Sequence, residues 1–237
     1  MACTIGIMDE SDPSALCVII PAKNEAMTIG EIVSGIRNDF GYTVVVVDDD
    51  SSDDTGSVAE EAGAVVLTTP CSLGAWGAIQ TGFRYGLASG YKQFITCDAD
   101  LQHNYKDIPT LLDGLKDADV VIGSCVSRGS TARHIAWHFF RWLSGLDVAD
   151  LTSGFRAYSY RAIRLLAGHN AVLFDYQDVG ILLLLSENGM KIKEIEVSMC
   201  AREQGASRIF SSWWKVSEYM LVTTLYVFAR RLTSFVK

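Results

Sequence analysis

Short apolar runs that end in polar residues alternate with amphipathic stretches through the first half of the chain, and this alternation predicts an α/β fold. Residues 16–20 are an apolar run closed by Pro21, and the β-branched run 44–47 is closed by Asp48, Asp49 and Asp50. Continuous apolar runs of this length read as strands buried on both faces of a parallel sheet. Between them, Ile29, Ile32, Val33 and Ile36 share one face of a helix predicted over 25–38. Residues 53–62 predict a second helix, 64–67 a third strand, 75–89 a third helix and 93–97 a fourth strand; a helix over 105–115 and a strand over 119–122 continue the series. Strands separated by helices in this order predict crossover connections and a doubly wound, mostly parallel sheet with flanking helices.

After Gly123 the rhythm changes to longer helical patterns at 131–145, 159–167 and 175–188, with a strand at 191–197. No Pro/Gly/Ser-rich linker separates the halves, so the pattern predicts a tail over 1–15 and one domain over 16–210. Residues 211–237 form a separate amphipathic stretch, with Trp213, Trp214, Tyr219 and Tyr226 ahead of Arg230 and Arg231. Its uncharged run, 219–229, is eleven residues long, short of the roughly 20 needed to span a bilayer. The stretch predicts a helix lying in a membrane interface, or one docked on the protein's own core.

Composition narrows the class. The 237 residues suffice for one large domain with a sizeable core. Six cysteines are scattered without Cys-x-x-Cys spacing, and Cys17 and Cys97 fall in predicted buried strands. Reduced core thiols and a cytoplasmic location are therefore expected, and residues 1–14 lack the basic start and apolar core of a secretory signal. The net charge of −8 hides an asymmetry: residues 1–124 hold 6 Lys+Arg against 19 Asp+Glu, while 125–237 hold 14 against 9. The acidic half argues against nucleic acid as a partner and suits a cation-dependent site. The basic half suits an anionic acceptor or lipid headgroups at the cytoplasmic membrane face. Nothing in the sequence sets the oligomeric state.

The candidate chemistry begins at Asp98-Ala99-Asp100, which directly follows the fourth predicted strand. Paired carboxylates at the C-terminal edge of a parallel sheet offer hard oxygen ligands where open α/β folds bind nucleotides, and a hydrated Mg²⁺ or Mn²⁺ there bridges a diphosphate. Residues 21–25, 48–53 and 123–124 end neighbouring strands and bring acceptors for base and ribose to the same edge. Gly74-Ala75-Trp76-Gly77 is neither a Walker loop nor a Gly-x-Gly-x-x-Gly turn, which disfavours an NTPase and a dinucleotide oxidoreductase.

The ordered series of motifs resembles the family 2 glycosyltransferases, in their dolichol-phosphate mannose synthase-like branch. It runs through Ile19–Glu25, Val46–Thr55, Leu73–Gly82, Asp98–His103, Val121–Ser124, Leu151–Ala157 and Arg202–Arg208, about residues 16–210. The resemblance implies a GT-A fold that binds a nucleotide-diphosphate sugar, GDP- or UDP-linked, with Mg²⁺ or Mn²⁺, and transfers a hexose with inversion to a polyprenyl phosphate. By the same resemblance Pro21, Lys23, Glu25, Val46, Asp48 and Asp49 form the nucleoside pocket. Asp98, Ala99, Asp100 and Gln102 surround metal and diphosphate, Arg202 and Arg208 close over the phosphates, and Thr152, Ser153 and Arg156 meet an acceptor phosphate. Lys23 and Cys125 depart from the family, which often has an aromatic and an arginine at those positions.

Two acceptor chemistries follow. A phosphate acceptor is already anionic near pH 7 and needs no strong base, whereas a saccharide hydroxyl needs a carboxylate; the resemblance to other family 2 branches, which carry an acid in this region, makes Asp178 the candidate ahead of Asp175. A non-catalytic nucleotide-sugar-binding protein is the third reading.

Overall fold

A computed structural model describes residues 15–125, 138, 141, 145–168, 171, 179–198 and 224. The strands are β1 (Leu16–Ala22), β2 (Thr43–Asp48), β3 (Val65–Thr68), β4 (Gln93–Thr96), β5 (Val120–Ser124), β6 (Arg156–Ser159) and β7 (Ile192–Glu196). They form one sheet in the order β3-β2-β1-β4-β6-β5-β7. All neighbours pair in parallel except β6, which runs antiparallel to both β4 and β5. The helices are α1 (Ile29–Phe40), α2 (Thr55–Glu61), α3 (Gly74–Ala88), α4 (Ile108–Gly114), α5 (Tyr160–Leu166) and α6 (Val179–Glu187).

Alternation of side chains along each strand divides the core into two layers. Cys17 and Ile19 of β1, Val45 and Val47 of β2, and Phe94 of β4 face α3, α5 and α6. Val18, Ile20, Val44, Val46 and Ile95 face α1, α2 and α4. Helix α3 presses closely on the sheet because it carries glycine at the contact. A Cβ on Gly82 would stand 2.5 Å from Ile19, and one on Gly86 2.4 Å from Phe94. Phe83 lies between them, edge-on to Trp76, Phe94 and Tyr158. The polar atoms buried with this layer are paired: Trp76 Nε1 donates to the Ala171 carbonyl and Gln80 Nε2 to the Leu166 carbonyl, each at 2.8 Å.

The doubly wound, mostly parallel sheet read from the sequence is therefore the fold, with boundaries moved by a few residues. Pro21 lies within β1, on which it stacks no ladder of its own N–H, and the fourth predicted helix is split into a single 3₁₀ turn at Tyr105–Asp107 followed by α4. Strand β6 was not expected. Its sequence, Arg-Ala-Tyr-Ser, is four residues long and begins with an arginine, so neither length nor alternation marks it as a buried strand. The predicted helix at 131–145 and the stretch 211–237 lie almost wholly outside the described residues. Among those described, no helix is long and apolar enough to cross a membrane.

Cys17 and Cys97 are buried free thiols, whereas Cys71 is exposed. Burial pushes the Cys17 thiol up to about 12. Burial chiefly, with the charges of Asp98 and Asp100, pushes that of Cys97 up as well. At pH 8 a disulfide reagent is expected to modify Cys71 in the native protein and to reach Cys17 and Cys97 only after denaturant is added. Modification of Cys17 without denaturant, located by peptide mass spectrometry, would contradict its packing.

Candidate active site

Because β1, β2, β4 and β5 all run the same way, their C-terminal ends share one edge of the sheet, as their sequences imply. Each of three successive ends turns through a non-glycine residue in the left-handed region: Asn24 after β1 (φ 56°), Asp50 after β2 (φ 59°) and Leu101 after β4 (φ 58°). Asn and Asp tolerate this conformation by bonding locally; leucine does not, at a cost of about 1 kcal/mol. Its side chain is partly buried against the α1/α4 layer, which offsets that cost.

Hydrogen bonds tie the first two loops into one unit. The Asn24 N–H donates to Ser51 Oγ (3.0 Å), that of Glu25 to Thr55 Oγ1 (2.8 Å) and that of Ala26 to Asp53 Oδ2 (3.2 Å). In return, the Ser52 N–H donates to Asn24 Oδ1 at 2.8 Å. Burial raises the Asp53 carboxyl, but hydrogen bonds from the Thr55 side chain and N–H and from Ala26 outweigh it and hold it below the usual range. Lys23 Nζ lies 3.9 Å from Asp50 Oδ2, across the same seam. The half-buried Pro21, Lys23 and Glu25 and the carboxylate of Asp48 thus border one preorganised rim, with the Ser51 N–H donating to Asp48 Oδ1.

Two members of the expected nucleoside pocket are placed elsewhere. Val46 is fully buried under α1 and α2, and its backbone is paired to β1 and β3 on either side, so it presents nothing to a ligand. Asp49 is 4 % exposed and receives three protein donors: Ser72 Oγ (2.8 Å), Leu73 N (2.6 Å) and Gly74 N (3.0 Å). Three donors occupy most of the acceptor sites of a carboxylate. Asp49 therefore holds the start of α3 against β2, and Leu73, 47 % exposed beside it, is left facing solvent at the rim.

Beyond β4 the paired acids differ in surroundings. The Asp98 side chain is 43 % exposed, with Oδ2 3.7 Å from Nδ1 of the buried His103. Asp100 accepts from the Gln102 N–H at 3.1 Å, closing the turn through Leu101. Ala99, between them, is buried in the core. Asp98 and Asp100 offer hard oxygen donors at an open edge, and among the described residues no set of three His, Cys, Asp or Glu side chains converges. That donor set fits Mg²⁺ or Mn²⁺ completing its shell with phosphate and water, and it does not fit a closed structural site.

The segment from Leu151 to Arg156 borders Asp98, but not as the expected acceptor-phosphate site. Arg156 is wholly buried; its Nε donates to the Ser153 carbonyl (2.8 Å) and Nη2 to that of Leu151 (3.0 Å). Ser153 is 1 % exposed, with Oγ donating to the Gly123 carbonyl. Both side chains are buried and donate to backbone carbonyls, so the structure places them as scaffold of this segment and not at an open surface. Thr152 is half-buried, its hydroxyl donating to Asp150 Oδ1 at 3.1 Å. Asp178, Arg202 and Arg208 lie outside the described residues.

A seven-stranded sheet with one antiparallel insertion and paired acids at the edge of its parallel strands is the architecture of GT-A sugar transferases. The chain belongs to glycosyl transferase family 2, whose family model matches residues 17–173. Within it, the relatives are those of the dolichol-phosphate mannose synthase-like branch. The chain is 32% identical over 164 residues to the undecaprenyl-phosphate mannosyltransferase of Micrococcus luteus, covering 64% of this chain and 67% of that one. It is 29% identical over 227 residues to the polyprenol monophosphomannose synthase of Mycolicibacterium smegmatis, covering 85% of each. Among solved structures, glucosyl-3-phosphoglycerate synthase from Mycobacterium tuberculosis, crystallised with Mn²⁺, UDP and phosphoglyceric acid, superposes with a TM-score of 0.66 at 18% identity, over 91% of this chain and 78% of that one. At that identity the likeness is one of fold.

Proposed function

We propose that this glycosyltransferase moves a hexose from a GDP- or UDP-linked sugar to a polyprenyl phosphate, with inversion, using Mg²⁺ or Mn²⁺ at Asp98 and Asp100. The observation that carries the reading is the exposed Asp98 carboxylate beside the cross-tied β1 and β2 rims, in a chain whose relatives are named for polyprenyl-phosphate mannosyl transfer. Pro21, Lys23, Glu25 and Asp48 bind the nucleoside along the rim. Asp98 and Asp100, with Gln102 beside them, orient the diphosphate. An ion bound there supplies Lewis-acid stabilisation of the charge that develops on the leaving diphosphate. Arg202 and Arg208 add cationic stabilisation from the segment that follows the domain's last strand. Thr152 stands at the acceptor side, and the acceptor phosphate is anionic at neutral pH, so attack needs no strong base. Residues 211–237 bring the enzyme to the cytoplasmic membrane face, where such an acceptor resides.

The test is to incubate the protein with radiolabelled GDP-mannose or UDP-glucose, Mn²⁺ and undecaprenyl or dolichyl phosphate, and to extract with organic solvent. Label in the organic phase that depends on the polyprenyl phosphate is the expected result. Label found only on an added saccharide would replace this reading by the hydroxyl-acceptor one, in which Asp178 is the base.

A further inference from the structure

Gly154 interrupts the clamped segment that borders Asp98, and its backbone gives no reason for a glycine. It is absent from the residues with positive φ, so any L-residue fits its conformation. What a side chain would meet is specific. A Cβ built there lies 2.7 Å from Asp98 Oδ1, 3.0 Å from Oδ2 and 3.2 Å from Cγ, and these are its three nearest atoms. The crowding is with one carboxylate and nothing else so near.

The backbone at 154 is fixed from several directions. Its carbonyl accepts from Thr96 Oγ1 at 2.7 Å, on the strand that leads to Asp98. On one side Ser153 is tied to the Gly123 carbonyl, and the Arg156 guanidinium holds the carbonyls of Leu151 and Ser153. On the other, Phe155 donates its N–H to Ser153 Oγ and stacks on His103 with centroids 5.2 Å apart. Of the two parties to the contact, the wall is tied by several backbone bonds, whereas the carboxylate is the far end of a rotatable side chain, with His103 Nδ1 3.7 Å away.

From this we infer that Gly154 is a positioning residue for Asp98, its missing side chain being what admits the carboxylate to its place at the sheet edge. The inference rests on the reading of Asp98 as a ligand of the catalytic ion. It predicts that Gly154→Ala folds, since the crowded atoms are the far end of a rotatable side chain, but with Asp98 turned away.

The experiment compares the full-length parent, Gly154→Ala, Asp98→Ala and the double variant. Free Mn²⁺ is followed by electron paramagnetic resonance during titration in the presence of GDP and, in a parallel series, UDP; thermal unfolding is followed in EDTA. Gly154→Ala is expected to weaken Mn²⁺ binding about 10–100-fold, the range found when a group that orients a metal ligand is lost. It should also lower Tm by a few degrees in the parent and not at all in Asp98→Ala, where the carboxylate is gone. Parent-like Mn²⁺ affinity in Gly154→Ala, with Asp98→Ala clearly weakened, overturns the inference. Parent-like affinity in Asp98→Ala overturns the ligand reading instead. The thermal cycle then decides the contact itself, equal losses in both backgrounds showing that Gly154 does not act through Asp98.

Discussion

Asp98→Ala and Asp100→Ala are each expected to lower kcat/KM for sugar transfer about 10²–10³-fold, the loss typical when a preorganised stabiliser of developing charge is removed, with Tm staying within a few degrees of the parent. The dissociation of activity from stability is what makes the result informative. Asp98 is 43 % exposed and its carboxylate makes no close hydrogen bond among the described residues, so folding is not expected to depend on its charge. Asp100 accepts a local bond from the Gln102 N–H, and an Asp100→Asn variant keeps that acceptor while losing the charge. Steady-state assays across a Mn²⁺ titration check this. If either alanine variant turns over at the parental rate, the edge acids are not the ion's ligands and the proposed chemistry falls.

Arg156→Ala is expected to show the opposite profile, destabilising the fold by about 2–6 kcal/mol as two buried carbonyls lose their donor. The guanidinium is wholly buried, and its loss strands the Leu151 and Ser153 carbonyls in the interior, each at about 1–3 kcal/mol. Arg156→Lys does not restore the loss, because an ammonium cannot reproduce the planar fork that reaches both carbonyls. Urea unfolding midpoints measure the difference. A stable Arg156→Ala protein that had lost only its affinity for polyprenyl phosphate would return the residue to the acceptor site.

How much of this was legible in the sequence depended on whether the signal was local. Runs such as Val44–Val47 and amphipathic faces such as Ile29, Ile32, Val33 and Ile36 disclose the parallel sheet and its helices, because burial on both faces leaves an unbroken apolar run. The same unbroken run hides direction: nothing in four consecutive valines says that Val46 faces α1 and α2, away from any ligand. Asp49 reads as a ligand-facing acid because its partners, Ser72, Leu73 and Gly74, lie more than twenty residues on. Arg156 reads as a contact for an acceptor phosphate because charge is normally exposed, and only the fold reveals the carbonyls that surround it. The position of Asp98 and Asp100 at the sheet edge is legible because a strand end names its own position.

Strand β6 carries a consequence for the order in which the protein assembles. Among the described residues, strand β5 pairs with β6 and β7, and both leave the ribosome after it. A nascent chain that ends before residue 156 therefore has a β3-β2-β1-β4 half-sheet, with the inner edge of β4 open and β5 unmoored. The wall that flanks Asp98 arrives with β6, so the surroundings of the edge acids are completed late in synthesis, by the segment that closes the sheet.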